Sequence, residues 1–196
     1  MSTTIPPTSR SARRLFQHVA LTFFSVALCA ALYGVIAKPD PLFRWGMGSG
    51  YTALVLLVIT LSIGPINSLR GSRIPVSSDL RRDVGIWTCL WSLLHTVIGL
   101  QVHMRGKMSE YFFYPGQAQF ITRVRTDLFG SANYAGLLAA VSVVLLAALS
   151  NDFAVRLLGA TRWKRLQQAN YFLFALVIAH SIIFQLIEKR ISPFAF

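Results

Sequence analysis

Five apolar stretches, each about as long as a lipid bilayer is thick, constrain the fold of this 196-residue chain more than any other feature. They cover about residues 17–37, 51–69, 84–102, 129–149 and 166–187. An α-helix rises about 1.5 Å per residue, so about 20 apolar residues cross a hydrocarbon core. Because lipid offers a backbone no hydrogen bonds, spanning segments are helices or closed barrels. The sequence predicts an all-α, polytopic bundle of about five transmembrane helices.

The composition agrees with a membrane protein. Hydrophobic residues make up 54% of the chain and charged residues only 13%, whereas soluble domains carry roughly a quarter charged residues. The net charge of +12 is spread over the segments between the apolar stretches. This pattern favours membrane orientation and contact with anionic lipid, and it argues against nucleic-acid binding. Cys29 and Cys89 lie within apolar stretches, which indicates packing residues rather than a disulfide.

The two ends of the chain are polar. Residues 1–16 contain two prolines and three arginines and are predicted to form a disordered basic tail. Residues 17–190 form the predicted membrane domain, and residues 191–196 a short C-terminal tail. A cleaved signal peptide is the alternative for the first apolar stretch. A retained helix is favoured for two reasons: no clear A-x-A cleavage site follows this stretch, and four further spans follow it in the chain.

The connecting segments predict an orientation. Lys and Arg number 11 on the side of the N-terminus and 8 on the other side, so the positive-inside rule places the N-terminus in the cytoplasm. Residues 38–50, which include GMGSG, are predicted to be a short loop. Residues 103–127 form the longest connection, and their aromatic cluster is typical of a segment at the level of the lipid headgroups.

Two of the four histidines, His95 and His180, lie deep within predicted spans. His95 comes about 11 residues after Val84 and His180 about 14 after Leu166, in spans that run in the same direction. Both are therefore expected at similar depth, past the midplane. Two neutral imidazoles in this arrangement can hold the iron of a porphyrin from opposite faces. The alternative is that each histidine only bridges helices through a hydrogen bond.

The neighbours of these histidines suit a macrocycle. Gly99 follows His95 by one turn and allows a porphyrin to approach the backbone, while Trp91 precedes it by one turn. Apolar residues flank His180, namely Leu176, Val177 and Phe184. His18 and His103 lie at span ends and are interpreted as interfacial, with His103 also a candidate propionate partner or substrate-side group.

The chemistry is expected to belong to a bound cofactor. No carboxylate lies in the middle of a span, and the sequence has no Ser-His-Asp set, zinc-binding spacing or phosphate-binding loop.

Three segments carry a family resemblance: YTALVLLVITLSIGPI, LRRDVGIWTCLWSLLH and GATRWKRLQQANYFLFALVIAH. Together they resemble the ferric reductase-like transmembrane domain family over about residues 45–190, and within it most of all the haem-binding membrane subunits of periplasmic methionine sulfoxide reductase systems. The resemblance implies a b-type cytochrome of the bacterial inner membrane with His95 and His180 as iron ligands. It also implies that electrons pass outward.

The chain departs from this family at one informative position. Family members often carry a further histidine in a tryptophan-x-x-leucine-histidine pattern, where this chain has Gln167 after WKRL. Arg81 and Arg82 stand where an inner ligand in the third span would be sought. One haem b is therefore expected, and a second is not.

The predicted function is that of an electron-transfer subunit of an oxidoreductase. The donor is expected to be a quinol or a flavin reductase, because the chain has no flavin or nicotinamide fold of its own. The acceptor is expected to be a periplasmic redox protein or a ferric chelate. An acidic acceptor would dock on the outer loop through Arg105, Lys107, Arg123 and Arg125. The alternative is a non-catalytic membrane subunit that scaffolds a larger complex without haem.

Overall fold

The computed structural model describes residues 7–70, 78–116 and 123–187. Seven α-helices occupy most of these ranges: α1 Pro7–Val35, α2 Pro41–Arg70, α3 Ser78–Val102, α4 Leu128–Ala148, α5 Asp152–Leu158, α6 Ala160–Gln167 and α7 Ala169–Ile187. A 3₁₀ turn at Met108–Tyr111 and an antiparallel bridge between Phe113 and Val124 shape the connection between α3 and α4. The prediction of an all-α fold is confirmed.

Five helical segments are long and apolar enough to cross a membrane. They are Ser11–Val35, Pro41–Leu69, Asp79–Val102, Leu128–Ala148 and Ala160–Ile187, the last of which combines α6 and α7. The prediction of five spans is confirmed. The two ends of the bundle are called here the N-terminal side, where α1 begins, and the opposite side.

The helix α1 begins at Pro7, so residues 7–16 are helical rather than disordered as the composition predicts. The physical reason lies in two ion pairs with α3. Arg13 lies 3.2 Å from Asp79 and Arg14 lies 2.6 Å from Asp83, which anchors the first turns of α1. Proline is also well tolerated in the first turn of a helix. Residues 1–6 of the predicted N-terminal tail and the whole predicted C-terminal tail, residues 191–196, lie outside the described residues.

The helix α2 begins at Pro41, so the segment GMGSG is helical and the predicted loop is wrong. Glycine weakens a helix by about 1 kcal/mol relative to alanine, so close packing must compensate. A Cβ on Gly48 would lie 3.2 Å from the carbonyl oxygen of Cys29 in α1. The glycines therefore allow α2 to approach its neighbours. At the other end, Pro65 does not stop α2, which continues to Arg70.

Two helix pairs build the bundle. The helix α2 packs most extensively on α3, and α4 on α7, while α3 with α4 and α2 with α7 join the two pairs. The helix α1 lies against α2 and α3. Cys29 and Cys89 are buried, unpaired thiols in the packed core, which confirms their prediction as packing residues. The segment after α4, predicted as a loop, folds into the short helices α5 and α6.

Candidate functional site

The rings of His95 and His180 lie close together, edge to face, inside the bundle. Their centroids are 6.1 Å apart and their planes are inclined by 84°. His95 belongs to α3 and His180 to α7, so each helix pair contributes one histidine. The expectation that the two side chains lie at matched depth is confirmed by this contact.

The tautomer of His95 follows from its hydrogen bond. Its Nδ1 lies 2.8 Å from the carbonyl oxygen of Gly46 in α2. A carbonyl oxygen only accepts hydrogen bonds, so Nδ1 carries the proton and donates it. In the neutral ring Nε2 is then left with a free lone pair.

His180 repeats this arrangement in the other helix pair. Its Nδ1 donates to the carbonyl oxygen of Ala132 in α4, also at 2.8 Å. Neither the Nε2 atom of His180 nor that of His95 makes a hydrogen bond to a described residue. The two partly buried rings therefore present two lone pairs that the described part of the protein leaves unused.

A glycine lies against each ring. A Cβ on Gly50 would come within 2.8 Å of Cε1 and Nδ1 of His95, and a Cβ on Gly136 within 2.8 Å of the same atoms of His180. Each glycine follows the accepting carbonyl by four residues, so one helical face supplies both the hydrogen-bond acceptor and the flat surface. Sequence reasoning missed this pattern. The signal was present as two pairs of small residues at i, i+4 spacing, residues 46/50 and 132/136.

A cavity of about 250 Å³, the histidine cavity, lies at the two rings. Its wall is mostly apolar and is formed by α2, α3, α4 and α7, with Leu57, Gly99, Val143, Leu173, Val177 and Phe184 among the lining residues. Gly99 has no atom within 4 Å of an added Cβ, so its backbone is open to this space as the sequence suggested.

Trp91 lies elsewhere, which corrects its predicted place beside the histidines. It is not among the residues that line the histidine cavity, and it packs with Cys29, Leu56 and Val84 on the side of α1. Helical spacing put it one turn from His95 but did not show which neighbour that turn faces. Its Nε1 is buried and has no hydrogen-bond partner among the described residues.

Aromatic contacts connect His180 with the opposite side of the bundle. The ring of Phe184 is 5.0 Å from that of His180, and the ring of His103 stacks on Phe184 at 5.7 Å. His103 is exposed and also lines the histidine cavity. The predicted interfacial residue therefore stands at the mouth of the site.

Tyr111 holds the connection between α3 and α4 over this mouth through hydrogen bonds. Its side chain is almost fully buried. Its hydroxyl donates to the carbonyl of Gly99 at 3.0 Å and accepts the backbone N–H groups of His103 and Met104 at 2.9 and 3.2 Å.

The cations predicted to dock a partner are partly engaged within the protein. Arg125 donates to Asp127 at 2.9 Å and to the carbonyl of Glu110 at 2.9 Å, and Lys107 lies 3.4 Å from Glu110. The hydrogen bond from Arg125 holds the pKa of Asp127 below its ordinary value. The other two cations of the predicted set are exposed, namely Arg105 and Arg123.

His18 lies far from the histidine pair, in a polar cluster between α1 and α3. Its Nδ1 accepts a hydrogen bond from Trp87 at 3.2 Å, and its Nε2 lies 3.5 Å from the fully buried Asp83. Sequence reasoning missed Asp83 because the adjacent arginines marked the segment as a membrane edge. The signal was a matching spacing on the two helices. Arg14 and His18 are four residues apart on α1, as are residues 79 and 83 on α3, so each pair lies on one helical face.

The donor set suits a metal that brings its own equatorial ligands. No group of three or more His, Cys, Asp or Glu side chains gathers in residues 7–70, 78–116 and 123–187. Two imidazoles can complete the coordination of an iron porphyrin, because the macrocycle supplies the remaining ligands. A metal held at about 2 Å by one nitrogen of each ring places the ring centroids about 6 Å apart. The observed separation of 6.1 Å fits this group.

Five apolar helices around two opposed histidines define a multi-pass membrane protein with a candidate metal-binding core. The family model described as "Ferric reductase like transmembrane component" matches residues 46–178. The chain belongs to this family and is a multi-pass bacterial membrane protein. The matched range includes His95 and ends two residues before His180.

Three individual proteins are similar to parts of this chain. The "Protein-methionine-sulfoxide reductase heme-binding subunit MsrQ" of Ralstonia nicotianae is 30% identical over 141 residues, which cover 72% of this chain and 58% of that protein. Magnetosome protein MamZ of Magnetospirillum gryphiswaldense is 26% identical over 134 residues, covering 68% of this chain and 18% of that protein. MamZ of Paramagnetospirillum magneticum is 24% identical over 134 residues, with 68% and 19% covered. This chain thus spans less than two thirds of each of these relatives.

Proposed function

We propose that this protein is a membrane b-type cytochrome that holds one haem between His95 and His180 and transfers electrons through it. The contact between the two rings, each of which keeps an Nε2 lone pair that no described residue uses, carries the proposal. The family match supports a membrane electron-transfer subunit, and the Ralstonia relative is by name a heme-binding subunit.

The unused Nε2 atoms favour haem ligation over a packing role. A histidine that only bridges helices needs its one hydrogen bond, and the bonds to Gly46 and Ala132 already supply that. Packing alone does not explain why both histidines line the same cavity. It also does not explain why a glycine clears the space behind each ring.

The residues of the chain would prepare the site before any cofactor binds. The carbonyls of Gly46 and Ala132 set the tautomer and the orientation of each imidazole, as hydrogen-bond partners of metal-binding histidines commonly do. His95 and His180 would both bind the iron, which would leave no position for a substrate, and the mostly apolar wall would disfavour water. A bound haem supplies reversible one-electron chemistry. The protein would therefore carry electrons rather than activate a substrate at the iron.

The position of the site suggests how electrons leave. With the N-terminus in the cytoplasm, the histidine pair lies towards the periplasm, and the contacts from His180 through Phe184 to His103 reach that surface. Arg105 and Arg123 are exposed there and would attract an acidic periplasmic redox protein or a ferric chelate. The donor would be a quinol in the membrane or a flavin reductase.

An absorption spectrum of the purified full-length protein tests the proposal. A Soret band and a sharp alpha band after dithionite reduction are expected for low-spin haem. His95→Ala and His180→Ala should each abolish the low-spin spectrum, whereas His18→Ala should retain it even where it lowers stability. A wild-type protein without a Soret band, after expression with sufficient haem, would instead favour a scaffolding subunit without haem.

A further inference from the structure

A second cavity of about 230 Å³, the arginine cavity, lies towards the N-terminal side of the bundle. It adjoins the histidine cavity, with which it shares four lining residues: Leu57, Thr88, Val143 and Leu173. Arg81 and Arg82 of α3 line it, together with Gln167 of α6. The lining residues include no histidine, cysteine or methionine, so within the described part of the chain it has no side chain suited to ligating iron.

Among the described residues, the ion pairs on this side leave one arginine of the cavity without an acidic partner. The sequence has three acidic residues on the N-terminal side: Asp79, Asp83 and Asp152. In the structure they pair with Arg13, Arg14 and Arg82 respectively.

Arg81 is partly buried and makes no ion pair or hydrogen bond to a described residue. A guanidinium held in a cavity without a carboxylate favours an external anion, and its planar donors match phosphate oxygens.

The rest of the wall is amphipathic. Two side-chain amides and three hydroxyls belong to its polar part, where Gln167 donates to Ser150 at 3.4 Å and Asn170 donates to Gln167. Leucine and valine side chains form most of the deeper part, including three of the four residues shared with the histidine cavity. A ligand with an anionic head and an apolar body fits this gradient better than a free ion. Basic pockets between transmembrane helices are known to suit the headgroups of anionic lipids.

We propose that the arginine cavity binds the phosphate group of an anionic phospholipid, with Arg81 as the principal contact and Arg82 and the polar wall around Gln167 in support. The glycerol and upper acyl region would lie against the leucines of the cavity. This proposal does not depend on haem in the histidine cavity, because none of its contacts involves His95 or His180.

Lipid binding to the purified full-length protein in detergent, followed by native mass spectrometry, tests this site. Phosphatidylglycerol and phosphatidylcholine with identical acyl chains serve as the two probes. Wild-type protein should bind phosphatidylglycerol more tightly, and Arg81→Gln should weaken that binding about tenfold. Arg156→Gln is the matched control, since it removes one exposed cation from the same side and should change binding less than about twofold.

Arg81→Lys provides a variant that keeps the charge if Arg81→Gln fails to fold. It should also weaken binding, because lysine lacks the two-pronged donor geometry of arginine. Inorganic phosphate distinguishes the source of the phosphate group. Failure of millimolar phosphate to displace the lipid supports the phospholipid, whereas tight binding of inorganic phosphate without a preference among lipids overturns it. Equal phosphatidylglycerol binding by the Arg81→Gln and Arg156→Gln variants also overturns the proposal.

Discussion

Gly50 and His95 are in such close contact that a methyl group on Gly50 would lie 2.8 Å from two atoms of the imidazole ring. Real Cβ atoms do not approach other atoms this closely, so Gly50→Ala must displace the ring or separate α2 from α3. Either change breaks the alignment of His95 with His180. We expect about tenfold weaker haem binding, as for other changes to the partners of metal ligands, measured by haem titration of the apoprotein.

Gly64→Ala is the matched control on the same helix. No atom lies within 4 Å of its added Cβ, so it should leave haem binding within about twofold and favour the helix slightly. Gly136→Ala should reproduce the effect of Gly50→Ala at His180. Normal haem binding in both Gly50→Ala and Gly136→Ala would show that the rings tolerate displacement.

Tyr111→Phe should loosen the connection over the mouth of the histidine cavity. The substitution removes one hydroxyl that serves three backbone groups, those of Gly99, His103 and Met104. Buried groups left without a partner cost about 1–3 kcal/mol, and the amides of His103 and Met104 should exchange hydrogen faster. Tyr114→Phe is the control, because that hydroxyl makes no hydrogen bond to a described residue. Equal exchange rates in the two variants would contradict this role.

Asp83→Asn should destabilise the attachment of α1 more than any change to an exposed ion pair. Asp83 is fully buried and pairs with Arg14 at 2.6 Å. Removing one partner of a buried pair costs about 3–5 kcal/mol, and the lower end is expected here because the Arg14 side chain is 33% exposed.

Detergent-denaturant unfolding measures this loss. Asp152→Asn, whose side chain is 66% exposed in its pair with Arg82, should cost less than about 1 kcal/mol. Similar losses in the two variants would show that the polar cluster of Asp83 does not stabilise the fold.

Asp127 should make the start of α4 sensitive to acid. It caps the helix by accepting from the amide of Gly130 at 2.7 Å, and the bond from Arg125 lowers its pKa from the ordinary 3.8. The unfolded chain then binds more protons than the folded one, so stability rises with pH. The contribution is complete above the unfolded pKa and is lost as the pH falls through the lower, folded value.

Unfolding midpoints measured between about pH 5 and about pH 3 test this prediction. Asp127→Asn keeps a capping oxygen but should flatten the pH dependence, while Asp127→Ala should cost about 1 kcal/mol at neutral pH. An unchanged acid response in Asp127→Asn would assign the pH dependence to other groups.

The bundle and the histidine pair were predictable because both rest on long-range regularities of the sequence. Five apolar stretches specify five spans, and similar offsets from the span starts put His95 and His180 at one depth. The relation of Trp91 to the site was not predictable, since helical spacing does not show which neighbouring helix a residue faces. Tertiary packing decided that point.

Predictions from local composition were wrong where contacts with residues far away in the sequence determine the structure. Glycines at residues 46–50 are typical of a loop, yet close contact with Cys29 and His95 keeps them in a helix. The basic residues 10–14 are typical of a disordered tail, yet two of them form ion pairs with acids on α3, which stabilises this segment as part of α1. Such pairings appear only when the helices are placed side by side.

Each histidine comes with its own carbonyl and its own glycine inside a single helix pair. The pair α2–α3 precedes α4–α7 in the chain, so it enters the membrane first during synthesis with half of the site already shaped. The second half arrives only after residue 128 has emerged. A haem bound by both rings would connect the helix pair α2–α3 to the pair α4–α7. Haem binding by both rings would therefore require that the two helix pairs have already packed together.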